Sequence, residues 1–243
     1  VTNVVIIGGG PGGYEAALVA RQLGAAVTIV ESQGLGGSAV LTDVVPSKAL
    51  IAVAEAAIDA RTAGMIGVHA SEVTVDLGDV NRRLRKWAAT QSHDVTARVI
   101  AEGVTVIAGW GRLTGPSTIT VDLADGGSTE LTADVILLAT GARPRILDTA
   151  IPDGQRIMTW EQLYELDELP EKLIVVGSGV TGAEFAGAYQ ALGSQVVLVS
   201  SRDRVLPGED ADAAQVVEKV FRARGMTVQS RSRAESVVRT DHC

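Results

Sequence analysis

The sequence predicts an α/β fold in which two similar β–α–β units each begin a parallel sheet. The first unit reads VVIIGGGPGGYEAALVARQLGAAVTIVE over residues 4–31, and the second reads LIVVGSGVTGAEFAGAYQALGSQVVLVS over residues 173–200. In both units an apolar strand leads through a glycine-rich turn into an alanine-rich helix, and a second apolar strand follows. Continuous β-branched runs of this kind are typical of parallel strands covered on both faces. The repeat therefore predicts two related domains rather than an array of short repeats.

The glycine-rich turn of the first unit has the pattern of a phosphate-binding turn. Gly8, Gly10 and Gly13 form GxGxxG, with Pro11 inside the motif. The first glycine permits the tight bend, the second lets a pyrophosphate approach the backbone, and the third lets the helix pack closely on the sheet. Glu31 closes the second strand, where a carboxylate can accept hydrogen bonds from a ribose. An ordinary glycine-rich turn is the alternative, but strand, motif, helix and terminal acid together favour a Rossmann-like dinucleotide-binding domain.

The second unit repeats the motif but changes the residue that closes its second strand. Gly177, Gly179 and Gly182 supply the glycines, and Ser200, Ser201, Arg202 and Arg204 follow the strand where an acid would stand. An acid at this place binds the 2′-hydroxyl of NAD and repels a 2′-phosphate. Serine hydroxyls and guanidinium groups instead favour a phosphate, so the sequence predicts that NADPH is accepted at least as well as NADH. The alternative is that the arginines are solvated and offset by Asp203, which leaves tolerance for both.

Further elements are predicted around the two units. Gly24 and Gly193 suit left-handed helix ends, and Gly126-Gly127 marks a hairpin turn. The predicted helices cover residues 46–63, 79–102 and 210–225, and the predicted strands cover 104–113, 117–123, the segment 129–141 and a last strand from Met226. Residues 143–172 form the link into the second unit. The second sheet is predicted to be incomplete, because polar sequence follows that last strand.

Composition and charge limit the possible partners. The 243 residues carry a net charge of −8, with 29 acidic and 21 basic residues, which argues against non-specific binding to nucleic acid or anionic membranes. The only cysteine is Cys243, so no disulfide can form within the chain and a cytoplasmic location is expected. No apolar run suggests a membrane span or a signal peptide. His69, His93 and His242 stand alone, so no metal site is predicted.

Four motifs in order carry a resemblance to a known family. Two GxGxxG turns, the segment VILLATGARPR at 135–145 and the loop GLGGSAVLTDVVPSK at 34–48 resemble the pyridine nucleotide-disulphide oxidoreductases, which include lipoamide dehydrogenase and glutathione reductase. The resemblance implies an FAD-binding domain over 1–150 and an incomplete NAD(P)-binding domain over 151–243. It also implies roles for single residues. Glu31 holds the FAD ribose, Gly36, Gly37 and Ser38 line the pyrophosphate, Gly111 contacts the adenosine end, and Thr140, Gly141 and Ala142 close over the cofactor.

Catalytic roles are implied for Lys48 and Glu184. By the resemblance, Lys48 lies by the flavin N5, where a cation stabilises the negative charge that develops as the flavin takes up hydride. Glu184 is the residue with which the family pairs this lysine. A solvated surface lysine at the start of a helix is the alternative for Lys48.

The sequence departs from the family at two places. The Cys-x4-Cys pair of disulphide-reducing members falls on Ala39 and Val44, which have no redox chemistry. The chain thus resembles the members without a disulphide, with NAD(P)H:quinone reductases the nearest in kind and a small-molecule electron acceptor implied. Transhydrogenation and a truncated, non-catalytic binding fragment are the alternatives. The full-length family is homodimeric through a domain that this sequence lacks, so a C-terminal truncation is expected.

Overall fold

The structure, a computed structural model, describes residues 1–69 and 71–240, so that His242 and Cys243 lie outside the described residues. It divides the chain into two units. The first comprises Val1–Pro46 and Arg85–Arg143, and the second comprises Ser47–Leu84 and the residues from Pro144 onwards. The predicted division into an FAD-binding domain over 1–150 and an NAD(P)-binding domain over 151–243 concerns cofactor binding, and it stays a prediction.

Six helices and nine strands are formed within the described residues. The helices are α1 Pro11–Gln22, α2 Gly37–Leu41, α3 Val44–Thr62, α4 Leu77–Ala101, α5 Val180–Leu192 and α6 Ala211–Ala223, with 3-10 turns at Ala63–Ile66 and Trp160–Glu165. The strands are β1 Asn3–Ile7, β2 Ala26–Glu31, β3 Thr105–Leu113, β4 Thr118–Leu123, β5 Ser128–Thr132, β6 Val135–Leu138, β7 Lys172–Val176, β8 Gln195–Val199 and β9 Thr227–Gln229.

The first unit is built on a six-stranded sheet in the order β5-β4-β3-β2-β1-β6. Strands β1, β2, β6 and the first half of β3 are parallel, whereas the second half of β3 pairs antiparallel with β4. Alternate residues of β1 are buried on opposite faces: Ile6 packs with Ala17 of α1, and Val5 and Ile7 pack with Ile119 of β4. The continuous apolar run of β1 is explained by this burial on both faces, as the sequence predicted.

The second unit has a parallel sheet of three strands in the order β7-β8-β9. One face packs against α5 and α6, where Leu198 of β8 and Phe221 of α6 belong to the same buried cluster. The other face is open at β7, where Ile174 is 60% exposed and Val176 is 52% exposed. The first sheet is therefore covered on both faces, whereas the second sheet is covered on one face and open at β7 on the other.

Most predicted elements are present with small shifts of their bounds. The glycines expected at helix ends are left-handed, with φ +88° at Gly24 and +132° at Gly193. One segment was predicted wrongly as continuous. Residues 129–141 form both β5 and β6, which lie at opposite edges of the sheet because the chain turns between them. Asn3 fixes this turn by donating its backbone N–H to Asp134 at 2.7 Å and its side-chain amide to the Thr132 carbonyl at 2.6 Å.

The helical segment Gly37–Ile66 is long and apolar enough to cross a membrane by length and composition alone, with a mean hydropathy of 1.4. The expectation of no membrane span is therefore not confirmed. One such segment is weak evidence, because the core helix of a soluble protein passes the same test. Leu50, Ala54 and Ala57 of α3 are buried in the core of the second unit.

Candidate functional site

The glycine turn of the first unit is so tightly packed that side chains are excluded from it. Gly8 has φ +106°, and a Cβ added there would lie 2.1 Å from the Ala139 carbonyl oxygen. A Cβ on Gly13 would lie 2.0 Å from the Gly8 oxygen. Helix α1 starts at Pro11 after Gly10, and within the described chain no side chain caps this end. Backbone N–H groups at such a helix start are suited to binding an anion.

A second glycine-rich loop packs directly against this turn. Gly36 donates its N–H to the Gly9 carbonyl at 2.8 Å. Gly37 has φ +53°, and a Cβ there would lie 2.8 Å from the Gly10 Cα. Ser38, the next residue, is exposed. The structure thus brings together the two loops that the resemblance placed along a pyrophosphate, and their role as its ligands stays a prediction.

Glu31 holds the turn as well as standing at the predicted ribose position. One carboxylate oxygen accepts the Gly9 N–H at 2.6 Å, and the other accepts those of Gln33 at 2.7 Å and Gly34 at 3.4 Å. An ionised carboxylate has about four acceptor positions, so room remains for a ribose hydroxyl. The contact with Gly9 was not predicted from the sequence. The sequence feature that indicates this contact is Gly9 itself, a residue without a side chain between the first two glycines of the motif.

The other predicted FAD-binding residues of the first unit lie beside the same strand ends. A Cβ on Gly111 would come within 3.2 Å of Ile7 and 3.3 Å of Val30, so β3 crosses close to the ends of β1 and β2. The segment from Thr140 to Ala142 follows β6, and Gly141 has φ +70°. The Arg143 guanidinium lies 5.4 Å from the centre of the Trp110 ring, which ties this segment to the strand that carries Gly111.

Lys48 and Glu184 form an ion pair within the second unit. The Lys48 Nζ lies 2.6 Å from a Glu184 carboxylate oxygen, and the side chains are 56% and 24% exposed. Lys48 is near the start of α3, and Glu184 is in the first turns of α5. A pair with this exposure adds only about 0–1 kcal/mol to stability, so a role in folding explains it poorly. The pairing implied by the resemblance is present, and its role towards a flavin stays a prediction.

The glycine turn of the second unit has the same geometry as the first. Gly177 has φ +116° and donates its N–H to the Val199 carbonyl at 2.9 Å, just as Gly8 donates to Val30 at 2.9 Å. A Cβ on Gly182 would lie 1.9 Å from the Gly177 oxygen. Gly179 precedes α5 in an extended conformation. This is the arrangement that the repeated motif predicted.

At the end of β8 the structure alters the prediction made for Ser200. This residue is fully buried, and its hydroxyl oxygen accepts from the Ser178 hydroxyl at 2.7 Å and from the Arg202 N–H at 3.1 Å. The hydroxyl is thus used inside the loop rather than offered to a cofactor. Arg204 is also engaged, because it donates to the carbonyls of Pro207 and Glu209 at 3.4 and 3.5 Å. Ser201 and Arg202 remain exposed.

Residues 1–69 and 71–240 contain no group of three or more His, Cys, Asp or Glu side chains that could hold an ion.

Comparison with known proteins gives consistent matches over almost the whole chain. The sequence model of the family described as pyridine nucleotide-disulphide oxidoreductase matches residues 2–242. An NAD(P)H dehydrogenase (quinone) of Mycobacterium tuberculosis is 50% identical over 251 aligned positions, which cover 99% of this chain and 51% of the relative. A dihydrolipoyl dehydrogenase of Chlorobaculum tepidum is 37% identical, with coverages of 97% and 50%.

Solved structures agree with these relatives. The crystal structure of LpdA from Mycobacterium tuberculosis superposes with a TM-score of 0.92 at 50% identity, covering 99% of this chain and 53% of LpdA. The flavoprotein disulfide reductase RclA from Escherichia coli gives a TM-score of 0.84 at 21% identity, which shows a shared fold alone. The chain spans about half the length of the curated relatives it matches.

Proposed function

The chain belongs to the pyridine nucleotide-disulphide oxidoreductase family, and from this premise we propose that it passes hydride from NAD(P)H through FAD to a diffusible acceptor such as a quinone. The family is FAD-dependent and uses pyridine nucleotides. The quinone is suggested by a relative, the NAD(P)H dehydrogenase (quinone) of Mycobacterium tuberculosis.

The observation that carries the proposal is the glycine cradle of the first unit. The space beside the turn excludes side chains at Gly8, Gly13 and Gly37, where a Cβ would collide with backbone atoms at 2.0–2.8 Å. A bare backbone, an uncapped helix start and the Glu31 carboxylate suit a dinucleotide with a pyrophosphate and a ribose. These residues fit FAD, and they would hold its pyrophosphate and its ribose.

Bound FAD supplies a two-electron acceptor for hydride. We assign to Lys48 a positive charge that would lie by the bound flavin and would stabilise the negative charge that hydride uptake adds to it. Glu184 orients Lys48 through their ion pair. Ala39 and Val44 replace the cysteines of disulphide-reducing members, so electrons leave without a protein disulphide.

For the nicotinamide cofactor we propose that NADPH is used at least as well as NADH. No acid closes β8, and the exposed Ser201 and Arg202 follow the buried Ser200. An uncharged strand end does not repel a 2′-phosphate, and a guanidinium can bind it bidentately. A cytoplasmic location and a homodimer for the complete protein stay predictions.

Steady-state turnover tests this function. FAD-loaded protein is expected to oxidise NADPH with a benzoquinone, and to give no rate above that of free flavin with dihydrolipoamide or oxidised glutathione. Hydride transfer to oxidised nicotinamide without quinone reduction would favour the transhydrogenase alternative. Absence of FAD binding would favour the non-catalytic fragment, and a strong rate with either disulphide-linked substrate would refute the assignment of Ala39 and Val44.

A further inference from the structure

The chain that follows β9 returns to the end of β8 and places a distant arginine beside Arg202. Ser200 donates its N–H to the Gln229 carbonyl at 2.8 Å, and Ser232 donates back to the Ser200 carbonyl at 2.8 Å. Between them, Arg231 donates its N–H to the Arg202 carbonyl at 2.7 Å. Arg202 and Arg231, which are far apart in the sequence, are thereby held together at the end of β8.

The backbone of Arg231 adopts an uncommon conformation to make this contact. Its φ is +53°, in the left-handed region that non-glycine residues seldom occupy. Conformations of this kind persist where the surrounding structure enforces them, and they are found often at binding sites. In a regular parallel pairing, Ser200 would bond to Gln229 and to Arg231, but here it bonds to Gln229 and Ser232. The extra residue is the left-handed Arg231, which is thereby brought to the loop that carries Arg202.

The guanidinium groups of Arg202 and Arg231 are both available. Both residues are exposed, and within the described residues neither side chain has a hydrogen bond or an ion pair. Two other arginines of this unit differ, since Arg204 is bonded to loop carbonyls and Arg222 is paired with Glu218. The segments 200–208 and 229–234 hold four arginines and one acid, Asp203, and the acids Glu209, Asp210 and Glu235 follow directly after them.

We propose that Arg231 is a second specificity-determining residue, which together with Arg202 binds the 2′-phosphate of NADPH. The inference rests on the proposed use of NADPH by the second unit. In the first unit the equivalent strand ends at Glu31, whose carboxylate is proposed to bind the ribose of FAD. In the second unit the Ser200 hydroxyl is turned inward, and a backbone hydrogen bond holds Arg231 against Arg202 at the end of β8.

Equilibrium binding of two nucleotides tests this role without a need for flavin or turnover. The probes are 2′,5′-ADP, which carries the phosphate in question, and 5′-AMP, which lacks it. The variant Arg231→Asn removes the charge while asparagine tolerates the left-handed backbone. It is expected to weaken 2′,5′-ADP binding about tenfold or more and to leave 5′-AMP unchanged. Arg231→Lys is expected to retain part of the affinity.

Arg224→Ala is the matched control, because Arg224 is exposed and lies between the end of α6 and the start of β9, away from the strand end that carries Arg202. It is expected to change neither affinity. Equal binding of both probes by the wild type, or equal weakening of both by Arg231→Asn, overturns the role of Arg231 and leaves nucleotide binding intact. Failure of the folded wild type to bind either probe overturns the proposed function of the second unit as well.

Discussion

The two glycine turns share one backbone geometry but differ in the residue that closes the following strand. The first glycine of each donates to the facing strand at 2.9 Å, and a Cβ added to the last glycine of each would lie 2.0 or 1.9 Å from a carbonyl oxygen. In the first turn the Glu31 carboxylate accepts the Gly9 N–H, whereas in the second the buried Ser200 hydroxyl accepts from Ser178. The close approach of the last glycine to the first is common to both turns, and the residue that ends the strand sets the charge presented to a ligand.

The largest expected effect tests the shared part of this comparison. Gly13→Ala forces a Cβ against the Gly8 oxygen, so it is expected to abolish FAD binding and to lower the free energy of unfolding by about 1–3 kcal/mol or more. Gly12→Ala is the matched control, because a Cβ there meets no atom within 4 Å. Flavin content after purification and a thermal melt give the result. Equal flavin content in the two variants would contradict the assignment of the cradle.

The next effect concerns catalysis rather than binding. Lys48→Ala is expected to slow flavin reduction roughly a hundredfold, because one preorganised charge is lost at the site of hydride transfer. FAD content and thermal stability are expected to change little, since the Lys48 side chain is 56% exposed. Stopped-flow reduction of the flavin absorbance by NADPH measures the rate. An unchanged rate would show that Lys48 is a solvated surface lysine without a role in hydride transfer.

A smaller effect probes the difference between the two strand ends. Arg202→Ala is expected to weaken the use of NADPH by about 1.5–3 kcal/mol, or roughly tenfold to a hundredfold, through loss of a charge-assisted bond. The rate with NADH is expected to stay near that of the wild type. Reduction rates against the concentration of each cofactor decide this. A wild type that strongly prefers NADH, or a variant that loses nothing with NADPH, would show the assignment to be wrong.

The smallest effect concerns the inward serine pair. Ser178→Ala and Ser200→Ala each remove the 2.7 Å hydroxyl contact and are expected to cost about 1 kcal/mol of stability. Because both variants remove the same bond, the double variant is expected to cost less than their sum. Denaturant unfolding of the four proteins completes the cycle. Strict additivity would mean that the two hydroxyls do not support each other.

Sequence reasoning recovered what local patterns determine. The period of apolar residues, the spacing of Gly8, Gly10 and Gly13 and the glycines at helix ends led to the correct elements, because each signal lies within a few residues. The resemblance led to the ion pair of Lys48 with Glu184, which is a contact over 136 positions.

What the sequence missed depends on contacts between distant segments. The inward turn of Ser200 requires Ser178, and the approach of Arg231 requires the path of the chain after β9. The split of 129–141 into two edge strands required the contacts of Asn3. The apolar sequence of β7 predicted burial on both faces. One face is open because no described element packs on Ile174 and Val176.

The proposed activity requires that the first turn binds FAD and that the second binds the NADPH that reduces it. The flavin absorbance band of wild type and Gly182→Ala, recorded before and after anaerobic addition of NADPH, tests it most directly. Gly182→Ala forces a Cβ to 1.9 Å from the Gly177 oxygen and distorts only the second turn. Both proteins are expected to carry the band, and it is expected to bleach rapidly in the wild type alone. A wild type without the band, or with a band that NADPH leaves unchanged, would refute the proposed transfer of hydride from NADPH to FAD.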